Sequence, residues 1–225
     1  MSGEHYIGYI GNLHVHYDTL ITMWTAMAFL IIVSFILTRN LNIIPTKTQA
    51  VLESVMKFFV GSFDNVKNCE RYVPLVASLF LFILFANLMG QLPLYMIHLK
   101  QGELASPTND INMTAAMAVI VLFYYLYQGF RVKGIRAIYH GFSIMGIIET
   151  FVDILEMITR PLSLALRLFA NIFAGEILVS VCFVLCAYFL PVVPRLFEIL
   201  VAFIQAFVFM MLSIAYISAS VREEH

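Results

Sequence analysis

The stretch Arg160–Glu176 reads RPLSLALRLFANIFAGE, and it sets a cation in the middle of an apolar helix. Pro161 introduces the run Leu162–Leu190, whose only charged residues are Arg167 and Glu176. About 20 apolar residues suffice to cross a hydrocarbon core of about 30 Å, so this run is long enough. An arginine at the centre of a spanning helix costs about 2.5–3.5 kcal/mol on insertion scales. Snorkelling relieves that cost near a helix end, but Arg167 stands eighteen residues after Glu149 and more than twenty before Pro191. Intramembrane ionisable groups so placed mark ion paths. The segment therefore predicts a membrane helix that handles charge.

Upstream, Glu149, Asp153, Glu156 and Arg160 are spaced by four, three and four residues, which aligns them on one helical stripe. The same register keeps Ser163, Arg167 and Asn171 within roughly 40° of Glu149, with Pro161 as the place where it can kink. Glu176 follows Arg167 by nine residues, about 13 Å along the axis and about 180° around it. The polar line reaches Arg167 on one face and resumes on the other, which disfavours a simple ion pair of Arg167 with Glu176 inside one helix.

Downstream, Pro191-Val-Val-Pro194 leads into the apolar run Leu196–Val221, which carries Glu198 and Gln205 seven residues apart and hence on one face. Antiparallel pairing about that turn brings Glu198 toward the level of Glu176 and Gln205 toward that of Arg167. As a helix, Leu162–Leu190 is about 43 Å long. Fitting it into the membrane demands a tilt of about 45°, beyond the usual range. A large curved partner surface alongside would favour that pose.

The rest of the chain agrees with a membrane protein. Of its 225 residues 61% are apolar and 12% charged, with a mean hydropathy of +0.90, whereas soluble domains carry about 45–50% and about 25%. Long uncharged runs also occupy 20–37, 73–97 and 113–130. With the tilted hairpin 143–190 and 195–221 they predict an all-α polytopic protein of about five spans, a single membrane domain over 1–225. None of the runs alternates with the period two of a membrane barrel. Across 49–67, Glu53, Lys57, Asp64 and Lys67 fall within about 80° of one another on a helix. That pattern predicts an amphipathic helix on the inner surface or against a partner's helix.

Basic residues in the connections set the orientation. Arg39, Lys47, Lys57, Lys67, Arg71, Arg131, Lys133, Arg136, Arg160 and Arg222 fall on one side, and Lys100 and Arg195 on the other. The N-terminus is thus expected outside and the C-terminus in the cytoplasm. The first eighteen residues hold no Lys or Arg, so they lack the basic start of a signal peptide. A net charge of −1 argues against nucleic acid as a partner. His14 and His16 lack a third ligand nearby, and Cys182 and Cys186 sit one turn apart in an apolar run. Neither reads as a metal site or a redox pair. The cluster Phe123-Tyr-Tyr-Leu-Tyr127 beside Arg131–Arg136 reads as an inner-interface anchor. No phosphate-cradling glycine loop is present, so no catalytic or cofactor-binding residue is expected.

The segment Arg160–Glu176 closely resembles the signature of subunit a of F-type ATP synthases. The likeness extends to Ile204-Gln-Ala-Phe-Val-Phe-Met-Met-Leu-Ser-Ile-Ala-Tyr-Ile-Ser218, to Asn87-Leu-Met-Gly-Gln-Leu-Pro93, to Pro107-Thr-Asn-Asp-Ile-Asn-Met-Thr114 and to the closing Glu223-Glu-His. It implies a proton-conducting stator subunit of the bacterial plasma membrane. The implied partners are a ring of c subunits, peripheral-stalk b subunits, the other synthase subunits and the bilayer.

By that resemblance Arg167 faces the ring carboxylates and separates two aqueous half-channels. Glu176 is the acid of the outer half-channel, Gln205 the glutamine opposite the arginine, and Asn171 and Ser163 their polar neighbours. Asp110 lies near the outer entrance and Asp153 near the inner exit. Glu198 stands where some members carry histidine, which leaves open whether Glu176 or Glu198 relays the proton, or whether both share it. The physics of the arginine is compatible. A guanidinium stays protonated and cannot itself relay protons, yet it favours the ionised form of a carboxylate passing it.

The rival is a stand-alone secondary transporter or ion channel that binds an anion at Arg167. Such folds show repeats or interrupted helices in both halves, and this sequence displays no repeat.

Overall fold

A computed structural model describes residues 7–10, 13–39, 42, 45–63, 69–91, 98–99, 102–103, 107–134, 144–186 and 190–221. The fold is all-helical in its body: α1 (Tyr17–Thr38), α2 (Lys47–Gly61), α3 (Val73–Gln91), α4 (Ile111–Lys133), α5 (Ile144–Leu185) and α6 (Val192–Val221). Two short antiparallel ribbons join connecting segments, β1 (Ile7–Ile10) with β2 (Leu13–His16) and β3 (His98–Leu99) with β4 (Gly102–Glu103). All helices except α2 are long and apolar enough to cross a membrane, which makes five candidate spans among the described residues.

Local chemistry sets the helix ends. The Thr46 hydroxyl accepts from the Gln49 N–H at the start of α2, and the Asp110 carboxylate accepts from the Asn112 N–H at the start of α4; both satisfy a donor that the helix itself leaves free. Gly134 closes α4 with a φ of 64°, a left-handed conformation that glycine adopts without a Cβ penalty. The described α3 stops at Gln91, short of the expected 73–97. Residues 92–97 of the expected run lie outside the described residues. Helix α2 is shorter than the expected 49–67 and ends at Gly61, while Asp64 and Lys67 of its polar stripe lie outside the described residues. Pro161 lies inside α5 without ending it.

The core lies between α3, α4 and α6, capped by one turn of α5. Val76, Ile83, Met117, Val121, Leu168 and Phe209 are buried in one cluster. Phe59 of α2 sets its ring edge against Phe80 of α3, centroids 5.6 Å apart. Phe29 of α1 stacks on Phe85 of α3 at 4.5 Å. In the aromatic cluster of α4, the Tyr124 hydroxyl donates to the Arg71 carbonyl at 3.2 Å, whereas Phe123 and Tyr127 stay exposed.

At 42 residues, α5 is about 63 Å long. That is twice the hydrocarbon thickness, so α5 is far longer than an upright crossing needs, and it packs beside α6. It keeps Ile158, Leu162, Leu166, Phe173 and Ile177 uncovered. In lipid or under another subunit such a surface needs no further burial within the chain.

Candidate functional site

Helices α5 and α6 are consecutive and packed together, so their facing polar residues meet in reversed order. Asn171 donates from Nδ2 to Gln205 Oε1 at 2.6 Å. Further toward the α5–α6 turn, Glu198 lies against Gly175, where an added Cβ would come within 2.5 Å of Glu198 Oε1. A small cavity forms at this level, lined by Glu176, Glu198, Asn171 and Gln205 and by Asn87, Gly90 and Gln91 of α3. Its space of about 20 Å³ suits a single water by volume.

Polar groups without protein partners point to what the cavity holds. Asn87 is fully buried, and neither its carboxamide oxygen nor its nitrogen has a hydrogen-bond partner among the described residues; Glu198 Oε1 is in the same state. Leaving such atoms unsatisfied costs about 1–3 kcal/mol each, and water in the cavity would relieve it. At the cavity's outer edge Arg195 Nη1 donates to the Gly90 carbonyl and to Gln91 Oε1, both at 3.3 Å. It also stands 3.9 Å from Glu198 Oε2.

A second polar group sits nearer the start of α5. Arg160 pairs with Glu156, and its guanidinium lies 5.1 Å from the centre of the Tyr216 ring. Tyr125 of α4 approaches the same ring at 6.3 Å, its hydroxyl buried without a partner among the described residues. Asp153 is half-buried one turn before Glu156; the side chain of Glu149 lies outside the described residues. Between the two polar groups, along both helices, come Leu164, Leu168, Phe209 and Met210, each no more than 2% exposed. That layer is dry.

Arg167 belongs to neither group. It is exposed on α5, one turn from exposed Ser163 and one turn from Asn171, and no hydrogen bond or ion pair engages it among the described residues. Asp110 serves as the α4 cap, its carboxylate also accepting from Asn112 Nδ2 at 3.0 Å. The preceding turn Pro107–Asn109 contacts α1, α3, α4 and α5. The structure thus gathers Asn171, Glu176, Glu198 and Gln205 in one place, leaves Arg167 and Ser163 on the outer face, and sets Asp153 toward the opposite end of α5. Among the described residues no cluster of three His, Cys, Asp or Glu side chains could hold a metal ion.

The sequence reading missed Asn87, Gln91, Gly175 and Arg195 as parts of this site. Asn87 and Gln91, spaced four apart in an otherwise apolar span, carried a legible signal. Gly175 and Arg195 carried none without the partner helix.

The family model described as ATP synthase A chain matches residues 20–218. This chain belongs to that family. A relative, ATP synthase subunit a of Gloeobacter violaceus (strain ATCC 29082 / PCC 7421), is 42% identical over 226 residues, covering 99% of this chain and 91% of the relative. The family match begins within the first turn of α1 and ends within the last turn of α6, so the family likeness includes every helix that builds the cavity and the Arg167 face.

Proposed function

We propose that the chain is the proton-translocating stator subunit of a rotary F-type ATP synthase, without a nucleotide site of its own. It offers two offset aqueous half-channels to carboxylates on a ring of c subunits, and Arg167 separates them. The observation that carries this reading is the unpaired, exposed guanidinium of Arg167 at the level of a buried apolar layer between a polar cavity and a second polar group. Protons entering from outside pass Asp110 and the cavity of Glu176, Glu198, Asn171 and Gln205, then load a ring carboxylate. After the ring has turned, they leave along Ser163, Asp153 and Glu149. A ring carboxylate meeting Arg167 is held ionised by the adjacent cation, so it cannot carry a proton straight from one path to the other. The dry layer blocks the same shortcut inside the subunit.

The excess of Lys and Arg in one set of connections supports an N-terminus outside and a C-terminus in the cytoplasm of a bacterial plasma membrane. Peripheral-stalk b subunits and the ring are the partners expected at the exposed faces of α1, α2 and α5. The test is Arg167→Ala in membrane vesicles bearing the whole synthase. Assembly should persist while ATP-driven proton pumping is abolished. Arg167→Lys should rescue it poorly, because an ammonium lacks the delocalised, forked charge. Full pumping by Arg167→Ala at wild-type assembly would refute the role.

A further inference from the structure

Arg195 joins two helices that are remote in sequence. Its half-buried guanidinium reaches from the first turns of α6 to the last turn of α3, bonding the Gly90 carbonyl and Gln91 Oε1 across 105 and 104 residues. The Gly90 carbonyl lies in the last described turn of α3, toward the negative end of the helix dipole. The same Nη1 lies 3.9 Å from Glu198 Oε2. The other oxygen, Oε1, is buried, without a partner among the described residues, and pressed toward Gly175 at the cavity. The two oxygens of one carboxylate are therefore differently placed: Oε2 faces a fixed cation, and Oε1 is buried against Gly175 of α5, on a side chain that lines the water-sized space.

We infer that Arg195 is a positioning residue for proton transfer, which locks α3 to α6 and turns Glu198 so that Oε1 is the atom that exchanges the proton. This rests on the reading of Glu198 as an acid of the outer path. The charged groups lining the surroundings of that carboxylate are Arg195 on α6 itself and Glu176 from α5; α3 supplies only the neutral Asn87 and Gln91, and α4 lines no part of the cavity. Arg195 is thus the sole cation among the described residues in a position to act on it directly.

The experiment uses vesicles carrying the intact synthase, with initial rates of ATP-driven pumping measured across a range of bulk pH and expressed per ATP hydrolysed. Removing the cation beside the Glu198 carboxylate changes the field on the exchanging proton, so Arg195→Gln should displace the profile by about one unit relative to wild type. Arg195→Lys, which keeps the charge, should return the profile to its wild-type position while recovering the rate only in part. An Arg195→Gln profile lowered equally at every pH but not displaced would overturn the inference and leave Arg195 a structural tie. Should Arg195→Gln fail to assemble, Arg195→Lys decides: an undisplaced profile supports the inference, a displaced one overturns it. Glu198→Gln separates the two levels of argument. If that variant pumps as wild type, the outer-path role of Glu198 falls and this inference with it. If it slows pumping while the Arg195→Gln profile stays in place, the positioning role alone falls.

Discussion

Gly175 and Glu198 occupy a contact that no other residue at position 175 would permit unchanged: a Cβ there would stand 2.5 Å from Glu198 Oε1 and 3.0 Å from its carboxyl carbon. A methyl group at 175 forces the carboxylate aside without needing the helices to separate. Gly175→Ala should therefore leave assembly intact and lower coupled pumping about tenfold, since misplacing a reacting group by about 1 Å can cost up to about 100-fold. Adding Glu198→Asp, one methylene shorter, should recover part of the loss. Pumping at the wild-type rate by Gly175→Ala would show that the position of Glu198 is unimportant.

The Asn171–Gln205 bond ties α5 to α6 at 2.6 Å, with Gln205 only 4% exposed. Asn171→Ala leaves the buried Gln205 oxygen without this donor. Thermal unfolding of the detergent-extracted complex, measured for Asn171→Ala, Gln205→Leu and the pair, should yield a coupling of about 0.6–1.7 kcal/mol, the range for hydrogen bonds between membrane helices. Additive effects would mean that the bond adds nothing to the α5–α6 contact.

Leu168 is fully buried in the layer between the two polar groups. A hydroxyl there gives water a foothold in a stretch whose buried hydroxyl, that of Ser213, is already bonded to the Phe209 carbonyl. Leu168→Ser should let protons leak in resting vesicles without ATP hydrolysis, while Leu168→Met, of similar volume, should stay tight. An equal leak in both, or in neither, contradicts the assignment of this layer as the barrier.

Access from the two sides is a separate matter. With Cys69, Cys182 and Cys186 replaced, cysteines at Asp153 and Ser163 should react with a membrane-impermeant thiol reagent from the cytoplasmic side. Cysteines at Asp110 and Glu176 should react from the outside. Labelling of Asp153 from outside, or of Ser163 and Glu176 equally from one side, would be incompatible with two half-channels.

The legible and illegible parts of this molecule divide along a physical line. Uncharged runs of about 20 residues declare spans because lipid tolerates little else, and the α5 stripe follows from helical periodicity alone. The antiparallel meeting of Glu198 with the Glu176 level follows from one short turn. Contacts of α3 with α6 do not: Arg195 and Gln91 are 104 residues apart, and no local pattern announces that they touch. Asp110 shows the opposite case. Its position directly before a helix permits a capping reading, and the structure gives it that task, a role the family resemblance alone did not bring out. Pro161 likewise marks a kink site by rule, yet α5 continues through it, because one lost hydrogen bond is a small part of a helix of 42 residues.

The solitary position of Arg167 bears on how the subunit survives before it is assembled. Newly inserted and alone, it carries a cation among apolar side chains with no counter-charge from its own described residues, besides a long helix whose flank is mostly bare. The insertion cost of about 2.5–3.5 kcal/mol for such a cation is a large share of the about 5–15 kcal/mol that typically holds a protein folded. An orphan copy is then a natural substrate for membrane proteases, and its lifetime in the cell is governed by how soon a neighbour with a carboxylate arrives. Synthesis of the subunit in excess of its neighbours should end in turnover rather than accumulation, so that the residue proposed to separate the two paths would also keep the inventory of unassembled copies low.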